Sequence, residues 1–319
     1  MAGQSREIAR RTTLPPGGKV FFAQMAAGTK LRVGRWDTAS RSYRGAIMLL
    51  QGRAEFLEKY FETINDFLDR GYSVLTFDWR GQGLSDRGPH GRDVDHIEDF
   101  GARIDDMEII RQRQFEAKLK PPHYIIGHSM GGHLMLRHML RHRGAFEKYI
   151  ALAPMMGLAP GPIPQWFLRW LARTAVKCGF GQRYMLTQKA VRNVAERERM
   201  GIRLTNNKHR MRETFEVLDA NPDLHLGGVS FAWMNAVFQS CDQLLEAAAD
   251  NKRRYPAYVL LAEDEMLVDN HLITAFAERL PVLDWCQIDG ARHELFQETD
   301  EIRRQVLGRI IRFLRTPTP

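Results

Sequence analysis

Within this 319-residue chain, Gly127-His128-Ser129-Met130-Gly131 has the residue types and spacing best suited to chemistry. A serine held in Gly-x-Ser-x-Gly can sit on a turn too tight for flanking side chains, with its hydroxyl thrust outward as a nucleophile. The pattern is informative only with a strand before it and a helix after it. Tyr124-Ile125-Ile126 reads as that strand, and Gly131 to Arg141 reads as that helix. The helix would aim its first N–H groups at developing negative charge. A glycine-rich turn holding a structural serine is the competing reading.

A hydroxyl nucleophile needs a base, and the base needs an acid to orient it. On this kind of turn the chain order is serine, acid, histidine. His293, in the loop Gly290 to Leu295 between the last strand and the last helix, is the expected base. His271 competes but follows Asn270 at a helix start rather than in a strand-end loop. The acid is expected in Ala262 to Asn270, which offers Glu263, Asp264, Glu265 and Asp269 after the strand Tyr258 to Leu261. Spacing from the small residue Ala262 favours Glu265, with Asp269 as the alternative acid and Asp264 third. The backbone N–H groups of Arg53 and Met130 are the expected oxyanion hole, because the loop Gln51 to Glu55 follows the buried strand Ala46 to Leu50. Gln51 and Gly52 in that loop are expected at the substrate. Trp233, with Met234 and Phe238, is the candidate acyl-pocket wall; core packing is the rival reading for that cluster.

These residues need a scaffold, and the apolar pattern supplies one. Lys19 to Gln24 and Lys30 to Trp36 read as strands, followed by a strand at Ala46 to Leu50 and a helix whose face carries Leu57, Tyr60, Phe61, Ile64, Phe67 and Leu68. Gly71 stands where a helix-ending glycine belongs, before the strand Tyr72 to Phe77. A helix over about 97–114, the strand and helix around Ser129 and a strand at Tyr149 to Leu152 continue the alternation. It resumes with strands at Tyr258 to Leu261 and Asp284 to Ile288 and a final helix using Ile302, Val306, Ile310, Phe313 and Leu314. Alternation of this kind predicts an α/β fold with a mostly parallel central sheet and helices on both faces. Between the two halves the pattern is helical. The expected division is a core first part over 14–156, a helical cap insertion over 157–251 and a core second part over 252–316.

Apolar residues at 44% and charged residues at 26% fit a soluble globular chain. No apolar run reaches the roughly 18–20 residues that span a bilayer. The polar, basic start Met1 to Thr13 has no apolar signal core. Cys178, Cys241 and Cys286 are too scattered for a disulfide framework or a zinc site, so a cytoplasmic location is expected. Between Gly161 and Phe215 stand 12 Lys and Arg against 3 Asp and Glu, which places the whole basic excess of a +8 chain in the insertion. Trp166 and Trp170, four apart, share that segment with Arg169, Arg173 and Lys177. A helix of this type suits peripheral contact with an anionic membrane surface. A packed cap helix with its arginines in water is the alternative, and no nucleic-acid partner is expected.

With these residues assembled, the chain resembles the α/β-hydrolase family that groups bacterial lysophospholipase L2 with monoacylglycerol lipases. The carriers are Gln51 to Phe56, Phe77 to Ser85, Gly127 to Gly132, Ala262 to Asn270 and Gly290 to Glu294. The resemblance implies an α/β-hydrolase fold and a triad of Ser129, Glu265 or Asp269, and His293. It also implies ester hydrolysis through an acyl-enzyme, a small lipid or ester substrate, and no metal or cofactor. Monoacylglycerol lipases have His-Gly where this chain has Gln51-Gly52, and Asp where it has Glu265. Both departures point toward the lysophospholipase side. A monoacylglycerol lipase, a general carboxylesterase and a non-catalytic hydrolase-like binding protein are the alternatives.

Overall fold

The computed structural model describes residues 11–88, 91–142, 144–186, 188, 194–249, 256–280 and 283–317. The expected insertion boundary at 251/252 and most of the polar N-terminal segment lie outside them.

Eight strands form one sheet: β1 (Gly18–Gln24), β2 (Lys30–Trp36), β3 (Gly45–Leu50), β4 (Tyr72–Phe77), β5 (His123–His128), β6 (Lys148–Leu152), β7 (Ala257–Ala262) and β8 (Leu283–Ile288). Their spatial order is β1-β2-β4-β3-β5-β6-β7-β8. β2 runs antiparallel to both its neighbours, and from β4 to β8 every pairing is parallel. The sheet is therefore mostly parallel, as the alternation of elements predicts.

Covering helices on both faces explain why β3, β4 and β5 are buried at every position. Residues alternate across β3. Met48 and Leu50 join one cluster with Ile104 and Met107 of α2 (Gly101–Ile110) and Leu134 and Met135 of α3 (Met130–Arg141). Ile47 and Leu49 join the opposite cluster with Ile64 and Phe67 of α1 (Phe61–Asp69) and the Val306 and Ile310 side chains near the C-terminus. Gly71 ends the α1 segment with φ +87°, donating to Leu68 O at 3.0 Å. The expected helix over 97–114 starts later, at Gly101, and finishes in a π-helical turn, Arg111–Glu116.

Between β6 and β7 the described residues form α4 (Gln165–Lys177), α5 (Val194–Leu204), α6 (Lys208–Ala220) and α7 (Phe231–Ala249). The last of these joins the main core: Val237, Phe238, Cys241 and Leu244 share the cluster of α2 and α3, and Ser240 Oγ lies 2.6 Å from His133 Nε2. α8 (Asn270–Arg279) and α9 (Asp300–Arg315) complete the chain, α9 being the helix that carries Val306 and Ile310. In a parallel sheet the carboxyl ends of the strands share one edge, and loops from β3, β5, β7 and β8 converge there.

Candidate active site

Ser129 stands between β5 and α3 with φ 51° and ψ −117°, a strained conformation for a residue with a Cβ. Main-chain bonds hold it there: Ser129 N donates to Leu152 O at 2.9 Å, and Ser129 O accepts from His133 N and Met155 N, both at 3.0 Å. The two motif glycines are steric necessities. A Cβ on Gly127 would lie 2.6 Å from Gly131 O, and one on Gly131 would lie 2.5 Å from Gln51 O and 2.8 Å from Leu50 O. Gly131 therefore lets the nucleophile turn pack directly under the loop that follows β3.

The His293 side chain bridges the serine and the acid loop. Its Nε2 lies 2.9 Å from Ser129 Oγ and its Nδ1 lies 2.7 Å from Glu265 Oε2. Glu265 Oε1 accepts from Leu267 N at 2.8 Å and Val268 N at 3.3 Å, so both carboxylate oxygens are fixed. Burial pushes the Glu265 carboxyl up, but the facing His293 and these two amides outweigh it and hold it below the usual carboxylate value. The other acids of the loop are engaged elsewhere. Asp269 is the N-cap of α8, its Oδ1 accepting from His271 N at 2.9 Å and Leu272 N at 3.4 Å. Glu263 Oε2 accepts from Gly290 N at 2.7 Å, and Asp264 is exposed. His271, the competing base, is exposed in the first turn of α8.

Two amides of the loop after β3 are already engaged by side chains. Gly52 N donates to Glu55 Oε2, and Ala54 N donates to Gln82 Oε1 at 2.8 Å. Arg53 N lies between these two occupied amides. Met130 N is the first N–H of α3, directly after Ser129. The Arg53 guanidinium is tied down, its Nε 2.8 Å from Asp95 Oδ2 and its Cζ 5.5 Å from the centroid of the Trp233 ring. Asp78, fully buried, braces the same loop by accepting from Leu57 N at 3.0 Å and from Arg32 Nε at 2.8 Å.

Gly52, Arg53, Ser129, His293 and Trp233 line one cavity of about 470 Å³, within the range of small-ligand sites. Its apolar wall includes Met155, Leu158, Met211, Phe215, Leu218, Val229 and Met234. Trp233 thus stands at the cavity and also packs edge-on against Phe100 at 5.7 Å. Phe238 belongs to the core cluster beneath and is absent from the lining. Gln51 is not at the cavity either. Its carboxamide is fully buried, 3.3 Å from Thr76 Oγ1 and Asp78 Oδ1, because β3 carries it inward before the loop turns out. Gln51 acts on the site through its main chain, whose carbonyl accepts from Trp79 Nε1 at 2.8 Å.

Further side chains stand at this site that the sequence reading did not single out as site residues. Lys59, His128 and Glu294 also reach this cavity, and Glu55 binds two of them: Lys59 Nζ at 2.8 Å and His128 Nδ1 at 3.1 Å. Arg203 of α5 stands at the rim, donating to Met266 O.

Residues 41–300 match the family model described as serine aminopeptidase, S33. The chain is 28% identical over 285 residues to lysophospholipase L2 of Escherichia coli strain K12, covering 84% of this chain and 79% of that protein. It is 29% identical over 272 residues to the probable lysophospholipase L2 of Haemophilus influenzae, covering 85% and 84%. Among solved structures, a soluble variant of the Saccharomyces cerevisiae monoglyceride lipase, in complex with a substrate analog, superposes with a TM-score of 0.76 at 21% identity, covering 96% of both chains.

Proposed function

The chain belongs to the S33 serine aminopeptidase family of α/β hydrolases, and from that premise we propose that it is a serine ester hydrolase of single-chain lipids. The observation that carries this reading is the relay of 2.9 Å from Ser129 Oγ to His293 Nε2 and 2.7 Å from His293 Nδ1 to Glu265, opening into an apolar-walled cavity. In the proposed cycle His293 takes the Ser129 proton, Ser129 Oγ attacks the ester carbonyl, and the N–H groups of Arg53 and Met130 receive the oxyanion. The alcohol leaves with the proton from His293. Water, deprotonated by the same imidazole, then releases the fatty acid.

Lysophospholipids are the favoured substrates over monoacylglycerols. The names of the bacterial relatives support this, and so does Arg203, a rim cation with donors to spare for a phosphate oxygen. A fluorophosphonate probe should label Ser129, and the Ser129→Ala variant should lose both labelling and turnover of lysophosphatidylcholine. Undiminished turnover in that variant would sink the reading. An unlabelled wild-type protein would favour a non-catalytic binder.

We also propose peripheral docking on anionic membrane surfaces from the cytoplasmic side. Among the described residues no helix is long and apolar enough to cross a membrane. The α4 helix, however, leaves Trp166 70% and Trp170 56% exposed, with Val176 and Phe180 nearby in sequence. Its buried contacts are made by Ala172 and Ala175. Arg173 and Lys177 lie on the same helix at head-group reach. The cytoplasmic assignment rests on Cys178, Cys241 and Cys286, all free thiols.

A further inference from the structure

Behind the triad, at the edge of the same cavity, lies a second group of charges that is almost wholly buried. Glu55 sits in the loop after β3, Lys59 in the following 3₁₀ turn (Leu57–Tyr60), His128 immediately before Ser129, and Glu294 immediately after His293. Their side chains are 5%, 6%, 5% and 10% exposed. Glu55 is the hub. Its Oε2 accepts from Gly52 N, from Tyr60 OH at 2.6 Å and from His128 Nδ1 at 3.1 Å, while its Oε1 accepts from Lys59 Nζ at 2.8 Å. Lys59 Nζ also reaches Glu294 Oε1 at 2.5 Å. The far nitrogen of His128, Nε2, lies 3.0 Å from the main-chain carbonyl of His293.

Hydrogen-bond bookkeeping fixes the protonation of His128. A carbonyl oxygen can only accept, so Nε2 carries a hydrogen. A carboxylate already taking three other donors is ionised and can only accept, so Nδ1 carries one too. A neutral ring would aim a lone pair at a buried anion. As an imidazolium, His128 together with Lys59 balances Glu55 and Glu294, and the enclosed group carries no net charge.

We propose that His128 is a permanently charged positioning residue, which clamps the oxyanion loop and the base segment to the nucleophile turn and sets the electrostatic background of His293. Its reach touches all three parts of the site. Through Glu55 it holds Gly52 N, one residue from the Arg53 amide. Through its Nε2 it holds the carbonyl of His293, whose ring centroid lies 4.9 Å from its own. Along the chain it adjoins Ser129. The titratable groups facing it are Glu55, Lys59 and Tyr60 from the loop and turn after β3, and His293 and Glu294 from the loop after β8; Ser129 adjoins it. Burial opposes the charge on the ring, and the Glu55 carboxylate outweighs it, so the ring is held above the ordinary histidine value.

The inference deepens the triad reading and rests on it, yet the two fail separately. Nitrogen-15 NMR of histidine-labelled, full-length enzyme should find both ring nitrogens of His128 protonated from about pH 6 to 8. The signal is identified by its loss in His128→Gln or, if that variant does not fold, by its displacement in Glu55→Gln. A singly protonated ring in that interval overturns the proposal. In kinetics on p-nitrophenyl butyrate, His128→Gln should lower kcat about ten-fold with KM little changed. It should also move the acidic limb of the kcat/KM profile upward by about half a pH unit, since a cation no longer opposes protonation of the base. Glu55→Gln should lower kcat and move the limb the same way by less, because the ring gives up its proton while a more distant anion goes with it. A limb that stays put in His128→Gln means packing alone and refutes the electrostatic role. If wild-type Ser129 resists fluorophosphonate while the ring is doubly protonated, it is the triad reading that fails.

Discussion

Replacing Glu265 by Gln tests the acid assignment at one atom. The carboxylate accepts three N–H groups: His293 Nδ1 at 2.7 Å, Leu267 N at 2.8 Å and Val268 N at 3.3 Å. A carboxamide has one acceptor oxygen, so two arrangements compete. If that oxygen turns to His293, the amide NH2 meets the Leu267 N–H, and a buried donor is stranded at about 1–3 kcal/mol. If the oxygen stays on Leu267, the NH2 faces Nδ1, and the imidazole proton moves to Nε2. That second arrangement leaves every donor matched and is favoured. It also disables the base, because Nε2–H now donates to Ser129 and cannot take its proton. A wrong tautomer in an otherwise intact triad costs about 10³- to 10⁴-fold, or about 4–5.5 kcal/mol of barrier. The expected result is therefore a loss of that size in kcat/KM on p-nitrophenyl butyrate with Tm nearly unchanged. Asp269→Asn is the matched control. Asparagine caps a helix as well as aspartate, so activity should stay within about two-fold. More than a tenth of the activity surviving in Glu265→Gln, or a comparable loss in Asp269→Asn, would refute the assignment.

Gly131→Ala should lower kcat at least ten-fold, because its Cβ would meet the Gln51 and Leu50 carbonyls at 2.5 and 2.8 Å and push the oxyanion loop off the nucleophile turn; wild-type kinetics in that variant would contradict the packing described. Arg203→Gln should cost about ten-fold in kcat/KM on lysophosphatidylcholine and leave a monoacylglycerol of the same chain nearly untouched, and equal effects on the two would remove Arg203 as a phosphate reader. The Trp166→Ser/Trp170→Ser double variant should lose sedimentation with phosphatidylglycerol vesicles while hydrolysing p-nitrophenyl butyrate normally; unchanged sedimentation would end the docking model. Burial, with Arg137 beside it, holds the His133 imidazole down at about 3. The folded state keeps this ring neutral while the unfolded chain protonates it near 6.5, so stability is full above that value and falls by up to about 1.4 kcal/mol per pH unit below it. Denaturant titrations from about pH 7 to 5 should show this slope, and His133→Asn should flatten it.

The fold and the candidate triad were legible because their signals are local. Period-two and period-3.6 apolar spacing follows from backbone geometry within each element. The Gly127-x-Ser129-x-Gly131 turn is dictated by clashes within five residues and the loop above them. Chain order then ranked His293 above His271, and spacing from Ala262 ranked Glu265 above Asp269. What decided between those two carboxylates was not spacing: Asp269 lies at a helix start whose free amides claim it, and Glu265 lies where a longer arm reaches the imidazole. Gln51 misled for a related reason. Its neighbourhood in sequence is the oxyanion loop, but the last residue of a strand alternation points inward.

By itself the sequence determined an α/β sheet and singled out the candidate nucleophile, the candidate base and the segment expected to hold the acid, because each depends on chemistry between near neighbours or on fixed chain order. Only the tertiary structure decided which carboxylate meets His293, and that Trp166 and Trp170 face outward. It alone brought together Glu55 and His128, 73 residues apart, His128 and the His293 carbonyl, 165 apart, and Lys59 and Glu294, 235 apart. Such pairs carry no periodicity and no motif. Their energy is Coulombic and depends on distance and desolvation, which exist only once the chain has folded and closed over them.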